Sequence, residues 1–340
     1  MKIDILCSDG SPIGVTSKTL WGDSWRVGVG GSEYALITMC EEWTKRGYEV
    51  TLYNSPKEVG VSPFHQLPTN AFNPNHPRDV LITFRSPNPL SIIAKGLKVW
   101  WSCDQYTIGN FQNFAPSMNR IVCISDFHKN YFKSQYNILN ATVIDLPVRI
   151  QDFPSDVERV PNRLVFTSVP DRGLHYLLDI WEEVKKSIPD VNLYITSDYR
   201  LWGAPDPRNS RHRAGWIGQK DVMFAGALPR KRYVEELAKS QLLVYPCEYE
   251  ELFCISVAEA MISGVYPITS GVGALSTTNM GTIIPHFPDK IFFDDMIGEV
   301  LFCLQNKDEL KKRQKSIVNK AKKRFHPDRI IEEWEEKVFK

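Results

Sequence analysis

Two hydrophobic periods take turns along this chain. Short runs dominated by Ile, Val, Leu and aromatic residues alternate with longer stretches in which apolar side chains return every three or four positions. The first pattern suits strands buried on both faces and the second amphipathic helices, so their alternation predicts a parallel sheet with crossover helices. In the first half the predicted strands are Ile3–Cys7, Glu49–Tyr53, Val80–Phe84, Lys98–Trp101, Arg120–Ile124 and Thr142–Leu146. Glu33–Arg46 reads as a helix stopped by Gly47, with Ala35, Leu36, Met39, Cys40 and Trp43 on one face. Ser125-Asp126-Phe127-His128 reads as the start of another helix that runs to Gln135.

After a polar, proline-bearing stretch, residues 151–162, a second alternation begins. It predicts strand Arg163–Ser168, helix Leu174–Lys186, strands Asn192–Thr196 and Val222–Ala225, helix Arg232–Ser240, strand Leu242–Tyr245, helix Ser256–Ser263 and strand Tyr266–Thr269. The fold class expected is therefore α/β, with two doubly wound, Rossmann-like domains over residues 1–150 and 151–307. Such sheets bind ligands beyond the carboxyl ends of their strands, and two of them facing each other would form a cleft. Helices over 308–340 carry many charges, with Trp334 and Phe339 as apolar anchors, and are expected to pack back toward the N-terminal domain. Their charge run reads as a solvated face.

Composition narrows the class rather than the fold. With 340 residues, 43% hydrophobic and 24% charged, the chain has room for two folded domains. Forty-one basic against forty acidic side chains leave a formal charge of +1, which gives no overall pull toward nucleic acid or an anionic membrane. The seven cysteines are odd in number and scattered, mostly inside apolar runs, which suits reduced, buried thiols. The N-terminus reads as a strand rather than a signal peptide, and no run of apolar residues is long enough to span a membrane. A cytoplasmic protein is expected.

Candidate chemistry concentrates in one segment. Glu251-Leu-Phe-Cys-Ile-Ser-Val-Ala-Glu259 places two carboxylates eight positions apart, ahead of Ala260-Met261-Ile-Ser-Gly264-Val-Tyr266-Pro267. Ser256-Val-Ala-Glu259 has the form of a capping box, so the helix would open there with its free N–H groups turned to an anion such as a phosphate. The glycines of Gly28-Val-Gly30-Gly31-Ser32-Glu33 precede a helix and permit close backbone approach, either to a ligand or simply through a turn. They do not form a dinucleotide fingerprint, because Glu33 stands where the third glycine belongs, which disfavours an NAD-dependent enzyme.

Taken together these segments resemble the retaining glycosyltransferases of the GT-B architecture, close to family 4. The Glu251–Glu259 run resembles the family's E-x7-E motif, with Phe253 and the Ala260-Met261 continuation in place. Gly30-Gly31-Ser32-Glu33 resembles its N-terminal glycine loop, Ser168-Val-Pro-Asp-Arg172-Gly173-Leu174 the opening of its donor domain, and Phe224-Ala-Gly226 with Tyr245-Pro246 the segments that frame the nucleobase.

The resemblance implies a transferase that moves a sugar from a nucleotide-sugar donor to an acceptor, with no cofactor and no metal. It implies that Glu251 and Asp104 serve catalysis, with Glu251 close to the reacting carbon, and that Glu259 holds the donor ribose. The local pattern by itself favours a capping role for Glu259 over a ligand contact. Arg172, Gly173, Gly226, Lys231 and the Leu252, Phe253 and Cys254 segment would bind the donor, and Gly30, Gly31 and Ser32 the phosphate or acceptor. A local cap or salt bridge is the competing role for Arg172.

The chain departs from the family twice. The Arg that members carry before the basic residue is absent from Phe166-Thr167-Ser168, leaving Arg230, Lys231 or Arg232 as replacements. Where many relatives have His-Asp, this chain has Ser102-Cys103-Asp104, and His128 reads equally well as a surface helix residue. A long loop over 199–216 is rich in Arg, Trp and Tyr and suits phosphate contact with base stacking or a sugar-binding wall. It is the one hint toward an alternative acceptor, a modified base in nucleic acid. A non-catalytic nucleotide-sugar-binding protein is the other alternative.

Overall fold

A computed structural model describes residues 1–9, 14–21, 28–105, 109–202 and 219–340. The chain forms two compact units. The first comprises Met1–Gly22, Val29–Val148 and Phe325–Lys340, the second Asp23–Gly28 and Arg149–Arg324.

The first unit holds a seven-stranded parallel sheet, ordered β3-β2-β1-β4-β5-β6-β7. Its strands are β1 (Lys2–Leu6), β2 (Glu49–Tyr53), β3 (His65–Leu67), β4 (Val80–Phe84), β5 (Leu97–Trp101), β6 (Arg120–Cys123) and β7 (Ala141–Val143). Ile3 pairs with Val50 on one side and Val80 on the other, and every residue of β4 is buried, as a sheet covered on both faces requires.

Helix Gly31–Lys45 buries Ala35, Leu36, Met39, Cys40 and Trp43. It starts two positions earlier than predicted because Gly30 takes an extended conformation and its carbonyl accepts from the Tyr34 N–H at 3.0 Å. Gly47, at φ +83°, ends the run as expected for a glycine beyond the last turn. Helix Pro327–Lys337 packs on this helix through Trp334, whose ring lies 5.3 Å from both Trp43 and Trp101.

The second unit repeats the design with six parallel strands, ordered β10-β9-β8-β11-β12-β13. They are β8 (Arg163–Phe166), β9 (Asn192–Ile195), β10 (Val222–Phe224), β11 (Leu242–Tyr245), β12 (Tyr266–Ser270) and β13 (Thr282–Ile284). Counted within its own sheet, the first unit reads 3-2-1-4-5-6-7 and the second 3-2-1-4-5-6, both the doubly wound order. The chain leaves the central strand in opposite directions, creating a switch point between β1 and β4 and another between β8 and β11.

Sequence patterning did not reveal β3, β13 or helix Lys290–Gln305. β3 is three residues long with a buried polar centre, because Gln66 donates to the Val15 carbonyl and the Asn54 side-chain oxygen, each at 3.0 Å. The C-terminal helices also divide differently from the expected block of 308–340. Helix Lys307–Arg324 packs on helix Ile255–Ile262 and β12 in the second unit, and only the segment from Phe325 onward joins the first. All seven cysteines are free thiols. Among the described residues no helix is long and apolar enough to cross a membrane.

Candidate functional site

The switch point of the second sheet brings Arg172 and Glu251 together. After β8 the chain turns at Val169–Arg172 and enters helix Leu174–Ser187 through Gly173, at φ +102°. A Cβ at Gly173 would collide with the Pro246 carbonyl oxygen, so glycine alone lets this turn abut the chain leaving β11. Beyond β11, the Glu251 carbonyl accepts from the Ala274 N–H at 2.7 Å, and a Cβ at Gly273 (φ +60°) would lie 2.7 Å from both the Glu251 nitrogen and oxygen. The loops following β11 and β12 thus fix the Glu251 backbone.

The Glu251 carboxylate is bound through one oxygen. Oε1 accepts from Arg172 Nη1 at 2.8 Å and from the Tyr245 hydroxyl at 2.7 Å, and Tyr245 Oη lies 3.0 Å from Ser168 Oγ. Because a phenol has a single proton, Tyr245 donates to the carboxylate and receives the Ser168 hydroxyl proton. The Arg172 guanidinium also lies over the Tyr249 ring, 4.2 Å from its centre. Its side chain is 26% exposed against 8% for Glu251.

Burial alone would lower the Arg172 pKa, but the Glu251 carboxylate outweighs it and the net direction is up. Burial and then Glu251 push the Tyr245 phenol well above its usual value, which keeps it a donor. The same two causes push Cys247 to about 12, and Cys254 also lies well above the usual range, so neither thiol is poised as a nucleophile.

Glu259 is not a capping residue. Cys254, in the left-handed region at φ 67°, turns the chain into helix Ile255–Ile262 with no side-chain cap, so Ser256 already lies inside the helix and the expected box does not form. Glu259 is 3% exposed, and its Oε1 accepts from Arg230 Nη1 at 2.5 Å. Arg230 opens helix Arg230–Ala238, 3.8 Å from Asp152 and over the rings of Phe153 and Tyr233. Burial, only partly offset by Arg149 and Arg230, raises the Asp152 pKa to about 6. Of the three expected replacement cations, Arg230 is therefore committed to Glu259, Arg232 faces Glu235 and Glu236 on its own helix, and Lys231 is exposed.

Gly226, at φ +72°, sits where a Cβ would come within 2.5 Å of Asp198 and Arg200. Asp198 accepts from the Ala227 N–H at 3.1 Å and from Arg200. Burial opposes its ionisation, but these donors prevail and hold its carboxyl below the usual range. The Tyr199 hydroxyl bonds to Asp171. The remainder of the expected Arg/Trp loop, with Arg208, Arg211, His212, Arg213 and Trp216, lies outside the described residues. Leu252, Phe253 and Cys254 are buried between Glu251 and the helix that carries Glu259.

The first unit has its own charged cluster, which sequence reasoning missed. Arg85 follows β4 with φ +63°, and its guanidinium meets Asp9 and, at 2.9 Å, Glu33 of the helix that Gly30, Gly31 and Ser32 open. Ser86 Oγ donates to Asp9 at 3.2 Å, and Trp100 Nε1 to the Arg85 carbonyl at 2.7 Å. Asp104, beyond β5, is half-buried and accepts from the Gln105 N–H at 2.7 Å. His128 is fully buried rather than on the surface. Its Nδ1 accepts from the Ile124 N–H at 3.3 Å, and its Nε2 lies 3.5 Å from Ser102 Oγ. Burial lowers its pKa to about 3, so the imidazole is neutral.

The fold is that of the GT-B glycosyltransferases, two parallel doubly wound sheets each covered by helices. Residues 161–295, which include Arg172, Glu251 and Glu259, match the model of the family described as glycosyl transferases group 1. An uncharacterized glycosyltransferase of Bacillus subtilis (strain 168), YqgM, is 27% identical over 162 residues, 46% of this chain and 43% of that protein. HepE of Anabaena, solved in complex with UDP-glucose, superposes with a TM-score of 0.73 at 16% identity, covering 99% of each chain. The sucrose-phosphate synthase of Thermosynechococcus elongatus gives 0.72 at 14% identity over 98% of this chain and 97% of its own. A glycosyltransferase of Rickettsia africae gives 0.73 at 16% identity over 99% and 97%.

Proposed function

We propose that this protein is a retaining glycosyltransferase, similar to family 4, that moves a sugar from a nucleoside diphosphate donor to an acceptor hydroxyl without a metal. The observation that carries this reading is the Arg172–Glu251 pair at the switch point of the second sheet, inside the segment that matches glycosyl transferases group 1. In transfer, the bond from the anomeric carbon to the diphosphate oxygen breaks and a bond to the acceptor oxygen forms. Negative charge grows on the leaving diphosphate while positive charge grows on the sugar ring. In this reading Arg172, whose side chain is 26% exposed, meets the diphosphate and Glu251 the sugar. Glu259, held by Arg230, serves the donor ribose, and the backbone near Gly226 frames the base.

The acceptor is assigned to the first unit, at the carboxyl ends of its strands, where Asp104 and the Gly30–Ser32 turn lie. Seven free thiols suit a reducing compartment, and the cytoplasm is proposed on that ground. HepE's complex makes a UDP-hexose the first donor to try. Purified protein incubated with a panel of nucleotide sugars should raise its melting temperature with one of them and release nucleoside diphosphate. Donor binding without release would leave the non-catalytic reading, and product of inverted anomeric configuration would overturn the retaining assignment.

A further inference from the structure

We propose that Tyr245 is the positioning residue that keeps Glu251 in place when Arg172 turns to the donor diphosphate. The inference rests on the reading of Arg172 and Glu251 given above. Both donors now bind the same carboxylate oxygen, and they differ in how firmly they are held. Arg172 sits on a turn with its side chain 26% exposed. Tyr245 is the last residue of β11, between β8 and β12 in the sheet interior, 3% exposed, with its ring edge-on to Phe166 at 5.7 Å. Ser168 fixes its hydroxyl from behind.

A guanidinium shared between a carboxylate and an arriving diphosphate cannot keep its best geometry to both, and the diphosphate carries more charge. Once that cation turns away, a buried carboxylate next to an anionic leaving group has reason to move. The Ser168–Tyr245 chain is the part of the site that does not depend on Arg172. An apolar residue would fill the end of a buried strand equally well, so a phenol there is explained by what its hydroxyl holds.

Tyr245→Phe keeps the ring and deletes only the hydroxyl. The expected result is a fall in kcat of roughly tenfold to a hundredfold, the scale of one hydrogen bond to a charged group, with the donor KM and nucleoside diphosphate affinity within about twofold of wild type. In a Glu251→Ala background the same change should lower kcat no further. An unchanged kcat, a loss confined to KM, or an equal loss in the Glu251→Ala background would each overturn the proposal. Should the wild-type protein transfer sugar from no donor, the functional reading fails. The same double-mutant cycle on the urea unfolding equilibrium then still tests the contact, and additive effects would refute it.

Discussion

Arg85 follows the fourth strand of the first sheet and Arg172 the first strand of the second, so each flanks the switch point of its own doubly wound sheet, yet their surroundings differ. Arg85 faces two carboxylates, its own side chain is 10% exposed, and it is held in a left-handed conformation. Arg172 shares one carboxylate with a phenol and is 26% exposed. A cation surrounded by two carboxylates braces the loops around it, whereas Arg172 divides its contacts between a carboxylate and the face of the Tyr249 ring. The difference teaches that a shared topology brings an arginine to each switch point while the local charge balance around it is set separately in each unit.

The strongest way to break this comparison is to remove each arginine. Arg85→Met would leave Asp9 and Glu33 buried without the cation they share, so stability should fall by about 3 to 5 kcal/mol, read by urea unfolding, while nucleoside diphosphate affinity stays near wild type. A marked loss of that affinity in folded protein would erase the distinction between the two positions. Glu251→Gln keeps the size of the side chain and removes its charge. Turnover should drop by roughly a hundredfold or more in protein that still folds, and turnover close to wild type would remove Glu251 from the chemistry.

Arg172→Ala is the complementary case. Nucleoside diphosphate binding, measured by calorimetry, should weaken by about 1.5 to 3 kcal/mol while the bare nucleoside binds nearly as before. Equal losses for both ligands would mean general damage to the unit rather than a lost phosphate contact.

The smallest effect sharpens the picture of the first unit. His128 is buried and neutral, with its pKa at about 3 against an ordinary 6.5, so on acidification the unfolded chain takes up the proton first. Its contribution is fully present above pH 6.5 and is lost progressively as the pH falls toward 3. Between about pH 7.5 and pH 5, wild type should lose about 2 kcal/mol more stability than His128→Gln, read as the difference between their unfolding curves. Parallel pH profiles would show that this imidazole titrates freely.

Strands Glu49–Tyr53, Val80–Phe84 and Leu242–Tyr245 were legible to the residue, because a short run rich in β-branched, aliphatic and aromatic residues has one comfortable place in a two-sided sheet. The glutamate spacing also marked the right segment. The local capping reading of Glu259 fails because Ser256 and Glu259 satisfy a capping rule that Cys254 pre-empts by turning the chain first. The position of His128 stayed open in the sequence because a lone imidazole in a polar stretch looks solvated, and only Ser102 and the Phe132 ring 4.4 Å away make its site interior.

Periodicity and glycine placement, which act between near neighbours, determined from the sequence alone that this chain builds two parallel α/β sheets and carries a paired-glutamate segment in the second. Which charges meet was decided only by the tertiary structure. Arg85 finds Asp9 across 76 positions, and Arg172 finds Glu251 across 79, through crossovers that bring the ends of neighbouring strands together. No local pattern encodes such a pairing, because the free energy of a buried ion pair depends on the water the surrounding fold excludes and on the further donors it supplies.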